Sequence, residues 1–274
     1  MEETEKRVFG YPQFDETGEM VLTTYENAYR DMNMDIRVYR LTAGEHRVFG
    51  SATEETAVLL LSGSVVFACG GERVEASRRS VFLDGPFAAH VCRGEEVGLD
   101  VTADTEILVQ KAVNDAAFAA RIYRPEDAPW KYSCQGAYGN TANRRVNTIF
   151  DHDIQPASNM VLGEVLNDPG NWSGYLPHRH SQPECYFFMF DHPEGFGASF
   201  VGDEVYKSVD HSFSAIPGGC LHPQSAAPGY QMYTCWMIRH LPGKPWLQTD
   251  RCEDDAFTWL HEASFNKETN AFER

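Results

Sequence analysis

The sequence predicts an all-β protein made of two similar barrel-like halves in tandem. Three observations point there: short apolar runs rich in β-branched and aromatic residues, turn residues at intervals of roughly ten positions, and a faint internal repeat. The runs DIRVYRLT, ETAVLLLSGSVVFACGG, RRSVFLD and TEILVQK are bounded by Gly, Asp and Ser, the residues that punctuate strands. In the first, Ile36, Val38 and Leu41 alternate approximately with polar neighbours. In the second, Ser62-Gly63 between two apolar runs reads as a hairpin turn. A helical period is held only by MVLTTYENAYRDM and AVNDAAFAARIY, both short.

The repeat sets the domain plan. Glu55 is followed by an apolar hairpin and then by SVFLDGPFAAH, which ends at His90. Glu184 opens ECYFFMF and is followed by HSFSAIPGGCLH, which ends at His222. The two separations are 35 and 38 residues. Two related barrels joined in the proline-containing stretch RIYRPEDAPW are expected, an N-terminal one over 1–125 and a C-terminal one over 126–274.

Composition narrows the function. The chain has 274 residues, 42 % hydrophobic and 12 % aromatic, enough for a proper core. Forty acidic residues against twenty-three basic ones give a charge of −17, which argues against nucleic-acid partners and against docking on anionic lipid. The seven cysteines, Cys69, Cys92, Cys134, Cys185, Cys220, Cys235 and Cys252, form no CxxC pair, and an odd count fits a reducing compartment. The start MEETEKRVFG is charged, and no run reaches the roughly 18 apolar residues of a membrane span. A cytoplasmic location is expected, with no membrane association.

The chemistry concentrates in the second half, where six of the ten histidines fall between positions 178 and 240. In LPHRHSQPECYFFMF, His178 and His180 are two apart, so on a strand their imidazoles share a face. A turn at Ser181-Gln182-Pro183 brings Glu184 opposite them, and the tight turn of IPGGCLHP delivers His222. Three neutral imidazoles and one carboxylate suit a divalent ion such as zinc, manganese or iron, with coordination positions left for substrate. A lone HxH is usually a solvated surface pair; the full HxHxxxE…PxGxxH spacing is far more specific. The first half offers only His46, Glu54 or Glu55, and His90, and reads as a degenerate barrel kept for packing and pairing.

HxHxxxE followed by PxGxxH resembles the two cupin motifs. The whole chain is similar to the bacterial 5-deoxyglucuronate isomerase family of inositol catabolism, itself related to the 4-deoxy-5-keto-uronate isomerases. The likeness runs through GEMVLTTYENAYRDMNMDIRVYRLTAGE, RRSVFLDGP, GNTANRRVNTIF, LGEVLNDPGNWSGYLPHRH, ECYFFMFDHPEGFG and IPGGCLHPQSAAPGYQMY. It implies a bicupin fold, two tandem jelly-roll barrels, with one metal ion in the C-terminal barrel held by His178, His180, Glu184 and His222. It also implies an aldose–ketose isomerase acting on a small sugar acid. The family pattern is broken where His211 replaces a turn glycine and where Trp236 replaces an asparagine.

Such a reaction moves a proton between adjacent carbons, and a divalent ion on the carbonyl acidifies the carbon that loses it. Glu184 as a ligand is a poor base, so Glu164 and Tyr186 are the candidates for proton transfer. A carboxylate substrate approaching an acidic protein calls for arginine. Arg144 and Arg145, which face opposite ways on one strand, and Arg239 and Lys244 beyond the metal motif are the candidates, with Arg145 first. A metal-dependent dioxygenase with the same ligands, or a sugar-acid binding module without catalysis, are the alternatives. A homo-oligomer is expected.

Overall fold

A computed structural model describes residues 6–273; the first five residues of the charged start lie outside that range. Among the described residues, helix is limited to the turn Ala137–Asn140 and three 3-10 turns, and no helix is long and apolar enough to cross a membrane. The two stretches with a helical period are strand and loop. In the first, Glu19–Thr23 is a strand that buries Met20 and Leu22 and leaves Val21 exposed, and only Arg30–Met32 turns. The second links the end of strand Glu96–Val113 to strand Arg121–Tyr123. Burial at every second residue outweighs a weak helical preference in segments this short.

The first half forms an eight-stranded antiparallel sheet. Its centre is the pair Glu54–Cys69 and Glu96–Val113, sixteen and eighteen residues long. Ser62-Gly63 is not a hairpin: the strand runs on through it, and the register with Glu96–Val113 shifts there in a series of bulges. Gly63 takes φ 102°, and a Cβ on it would lie 2.3 Å from Thr105 Oγ1, so the bulge needs glycine. The hairpin comes eight residues later, where Gly70-Gly71, both at positive φ, join Cys69 to Glu72.

The second half has a seven-stranded sheet facing a four-stranded one. The larger runs in the order Phe9–Gly10, Phe213–Ile216, Glu184–Phe190, Met232–Arg239, Met160–Asn167, Arg144–Phe150, Lys131–Ser133. Its edge strand Phe9–Gly10 comes from the start of the chain, so the first half lends a strand to the second.

Three apolar clusters hold this arrangement. One fills the first half, one the second, and the third packs Met20, Leu22, Ile36 and Leu59 against Cys185, Phe187, Tyr233 and Met237, joining the halves. The central strands of the second half are therefore buried on both faces, which is why ECYFFMF is apolar almost throughout. Alternation then decides what each face sees. Tyr186, Phe188, Trp236, Ile238 and Val161 turn into the second half, and Cys185, Phe187, Cys235 and Met160 turn toward the first.

Candidate metal centre

His178 and Arg179 form a two-residue strand paired with Cys252–Glu253 near the C-terminus. Arg179 points outward and is exposed, while His178 and His180 are both buried. Glu184 opens the next strand, paired with Ile216 on one side and Ile238 on the other. The PGGC turn is pressed against this segment: Gly219 N–H donates to His180 O at 2.7 Å, and a Cβ on Gly218 would sit 1.9 Å from Ser181 O. Only glycine fits there, and the contact carries His222 to the same place.

His180, Glu184 and His222 converge, with one ligand atom from each lying within 4.8 Å of the others. Glu184 Oε2 is 3.0 Å from His180 Nε2 and 3.3 Å from His222 Nε2. His222 Nδ1–H donates to Cys220 O at 2.8 Å, which leaves Nε2 without a proton. A bare imidazole nitrogen thus faces a carboxylate oxygen, two acceptors with no hydrogen between them, and His222 Nε2 has no hydrogen-bond partner. A cation between them resolves that conflict, so this donor set fits a divalent ion.

His178 stands beside the three without joining that close group. Its ring centroid is 4.8 Å from that of His222, and its Nδ1 lies 2.9 Å from Leu176 O. Burial, reinforced by the nearby Arg251 charge and by His222, pushes its pKa down to about 2, so the ring is neutral, the form that ligates metals. Burial also lowers the pKa of His222.

A cavity of about 490 Å³ opens over the cluster, within the roughly 300–1,000 Å³ of small-molecule sites. Tyr186 lines it, and burial with Glu184 alongside raises its phenol pKa well above the ordinary value, so the hydroxyl keeps its proton. Glu164 is not in the cavity. It is fully buried on the opposite face of its strand, where Arg78 grips it at 2.8 and 3.1 Å and Tyr233 and Asn147 add hydrogen bonds. This carboxylate fastens the two halves together.

The basic residues divide in the same way. Arg144, with Val146 and Thr148, faces the cavity, whereas Arg145 turns to the other side, its guanidinium 6.0 Å from the Trp130 ring. Arg239 donates to the backbone carbonyls of Val113, Asn159 and His240, and Lys244 is exposed with its amine on Ser181 Oγ, so neither lines the cavity. Among the lining residues that the sequence does not single out are Trp246, Gln248 and Arg251, all on the segment after the last long strand. The regular structure there is the 3-10 turn Gln248–Asp250 and the two-residue strand Cys252–Glu253, both too short to leave a periodic signal.

Fold and site together define a cupin-like protein with a histidine–carboxylate centre in its second half. The fold matches that of an IolB-like protein from Salmonella typhimurium at a TM-score of 0.82, with 19 % identity, over 93 % of this chain and 99 % of that one. It also matches oxalate decarboxylase from Lactobacillus farciminis at a TM-score of 0.66, with 10 % identity, over 96 % and 92 %. The chain belongs to the KduI/IolB family, whose model matches residues 10–260. Among its relatives, the 5-deoxy-glucuronate isomerase of Geobacillus thermodenitrificans is 27 % identical over 263 residues, covering 86 % of this chain and 93 % of that enzyme.

Proposed function

We propose that this chain is a metal-dependent aldose–ketose isomerase that converts 5-deoxy-D-glucuronate to 2-deoxy-5-keto-gluconate in inositol catabolism. The observation that carries the reading is the buried His180–Glu184–His222 cluster at the base of a sugar-sized cavity, in a member of a family with isomerase relatives. His178 completes a ligand set of three imidazoles and one carboxylate, for zinc, manganese or iron. A divalent ion held there supplies Lewis acidity to a carbonyl and its neighbouring hydroxyl.

The chain's own residues supply orientation and a proton. The backbone carbonyls of Leu176 and Cys220 hold the Nδ1 protons of His178 and His222, which fixes the ring tautomers. Tyr186, protonated beside Glu184, is a hydrogen-bond donor to a substrate oxygen as negative charge develops on it. Trp236 and Trp246 close one wall and exclude water from the reacting carbons.

The test is incubation of metal-replete protein with 5-deoxy-D-glucuronate under nitrogen and in air. Equal formation of the keto acid in both supports the isomerase. Oxygen uptake, or saturable binding with no product in either, overturns it.

A further inference from the structure

In a chain with a formal charge of −17, at least ten arginines are ion-paired to Asp or Glu. Arg144 and Arg251 are not among them, and both line the cavity over the metal cluster. Arg144 is only 5 % exposed. Its Nη1 donates to Ala142 O at 3.0 Å and reaches Trp172 O at 3.5 Å, and its Nη2 donates to Tyr175 O at 3.2 Å. These carbonyls set the plane of the guanidinium without neutralising its charge. Burial lowers its pKa, Cys134 alongside opposes this in part, and the charge of Arg251 acts in the same direction as burial, so the two cations stand near each other.

Arg251 has one hydrogen-bond contact, 3.2 Å from Nη2 to His178 Nδ1. The same Nδ1 lies 2.9 Å from Leu176 O, and a carbonyl can only accept, so this contact needs the proton on Nδ1. When His178 presents Nε2 as a ligand, Nδ1 carries the proton and cannot accept from Arg251. The guanidinium is then left without a partner at the mouth of the cavity. It is held there by the pairing of Cys252–Glu253 with His178–Arg179.

We infer that Arg144 and Arg251 form the subsite for the substrate's carboxylate, Arg144 as the fixed wall and Arg251 as the arm carried by the C-terminal segment. A guanidinium fork meets a carboxylate with two parallel hydrogen bonds, and two such forks around one anion remove their mutual repulsion. Asp127, Asp151 and Asp153 line the same cavity and stand beside its other basic residue, Lys131, in the chain segment 127–153, so the arginines offer an acid substrate its most favourable seat. That fixes which end of an open-chain sugar acid is bound there and which end meets the histidine cluster. The inference rests on the sugar-acid reading above, but its test needs no turnover.

D-glucuronate and its neutral amide, D-glucuronamide, are titrated calorimetrically into metal-replete wild type and into Arg251→Gln and Arg144→Gln, with metal content measured in each. The expected result is an acid-over-amide preference of about ten- to hundred-fold in the wild type that falls to within about three-fold in Arg251→Gln. Arg251 is exposed, so that variant folds even if Arg144→Gln does not. A wild type with no preference, or an Arg251→Gln protein that keeps it, overturns the subsite. Loss of the preference in Arg251→Gln from a protein that isomerises nothing leaves the subsite standing and refutes the isomerase.

Discussion

Glu55 in the first half and Glu184 in the second are each buried, and each meets a histidine 35 or 38 residues further on, yet their surroundings differ in where the protons sit. Glu55 is saturated with donors. His90 Nε2 lies at 2.9 Å, Ser158 Oγ at 2.8 Å, Asn114 Nδ2 at 3.1 Å and the Asn159 backbone N–H at 2.6 Å. To donate, His90 carries its proton on Nε2, the nitrogen that faces the carboxylate. His222 carries its proton on the other nitrogen, drawn there by Cys220 O, and turns a bare lone pair toward Glu184. Glutamate and histidine thus make a hydrogen-bond hub in one half and a donor set that fits a cation in the other. A single backbone carbonyl sets the difference.

The first-half hub is also a fastening, because Ser158 and Asn159 belong to the second half. A heavier fastening is Arg78–Glu164, fully buried between the halves. Replacing Glu164 with Ala strands the guanidinium in the core and is expected to cost about 3–5 kcal/mol, whereas the double change to two methionines costs much less. Urea midpoints of the three proteins check this; a Glu164→Ala protein as stable as wild type would mean that water or another acid reaches Arg78. Smaller in size is the effect of Glu55→Gln, which replaces one acceptor oxygen of the hub with a donor and should lose roughly 1–3 kcal/mol. If that protein instead loses its metal, the hub is a cation site after all and the contrast between the halves fails.

A further effect is one of pH. Burial alone would lower the His211 pKa, but its hydrogen bonds at 2.7 Å to Asp210 and to Glu106 of the first half outweigh this and raise it to about 9. The folded pKa lies above the unfolded value near 6.5, so this contribution is fully present below about pH 6.5 and is lost as pH rises through 9. The expected loss is at most about 3 kcal/mol, with a weaker pH slope in His211→Asn. Identical slopes for the two proteins between pH 6 and 9.5 would remove His211 from the joint between the halves.

Much of the candidate second-half site was legible because its histidines and glutamate are local: HxHxxxE needs one strand, one turn and a second strand, and the PGGC turn announces its own geometry. What was not legible depended on distant partners or on parity. Glu164 in VLGEVL looks like a solvated strand residue or a base until Arg78, 86 positions away, is seen to face it. Arg144 and Arg145 are told apart only by which face of the strand meets the cavity, and two adjacent arginines carry no polar–apolar contrast that would mark it. Arg251 sits beside a two-residue strand that no periodicity reveals. His211 is explained by its contacts. It holds a left-handed φ of 62°, a conformation that favours glycine, while its ring bridges two acids across the halves.

We expect one half to bind a metal ion and the other, with the same residue types, to bind none. Elemental analysis of purified wild type, His222→Ala and His90→Ala proteins tests it directly. The expected contents are one divalent ion per chain in the wild type, little in His222→Ala and one again in His90→Ala. Two ions per chain in the wild type with one lost in His90→Ala, or unchanged content in His222→Ala, would contradict it.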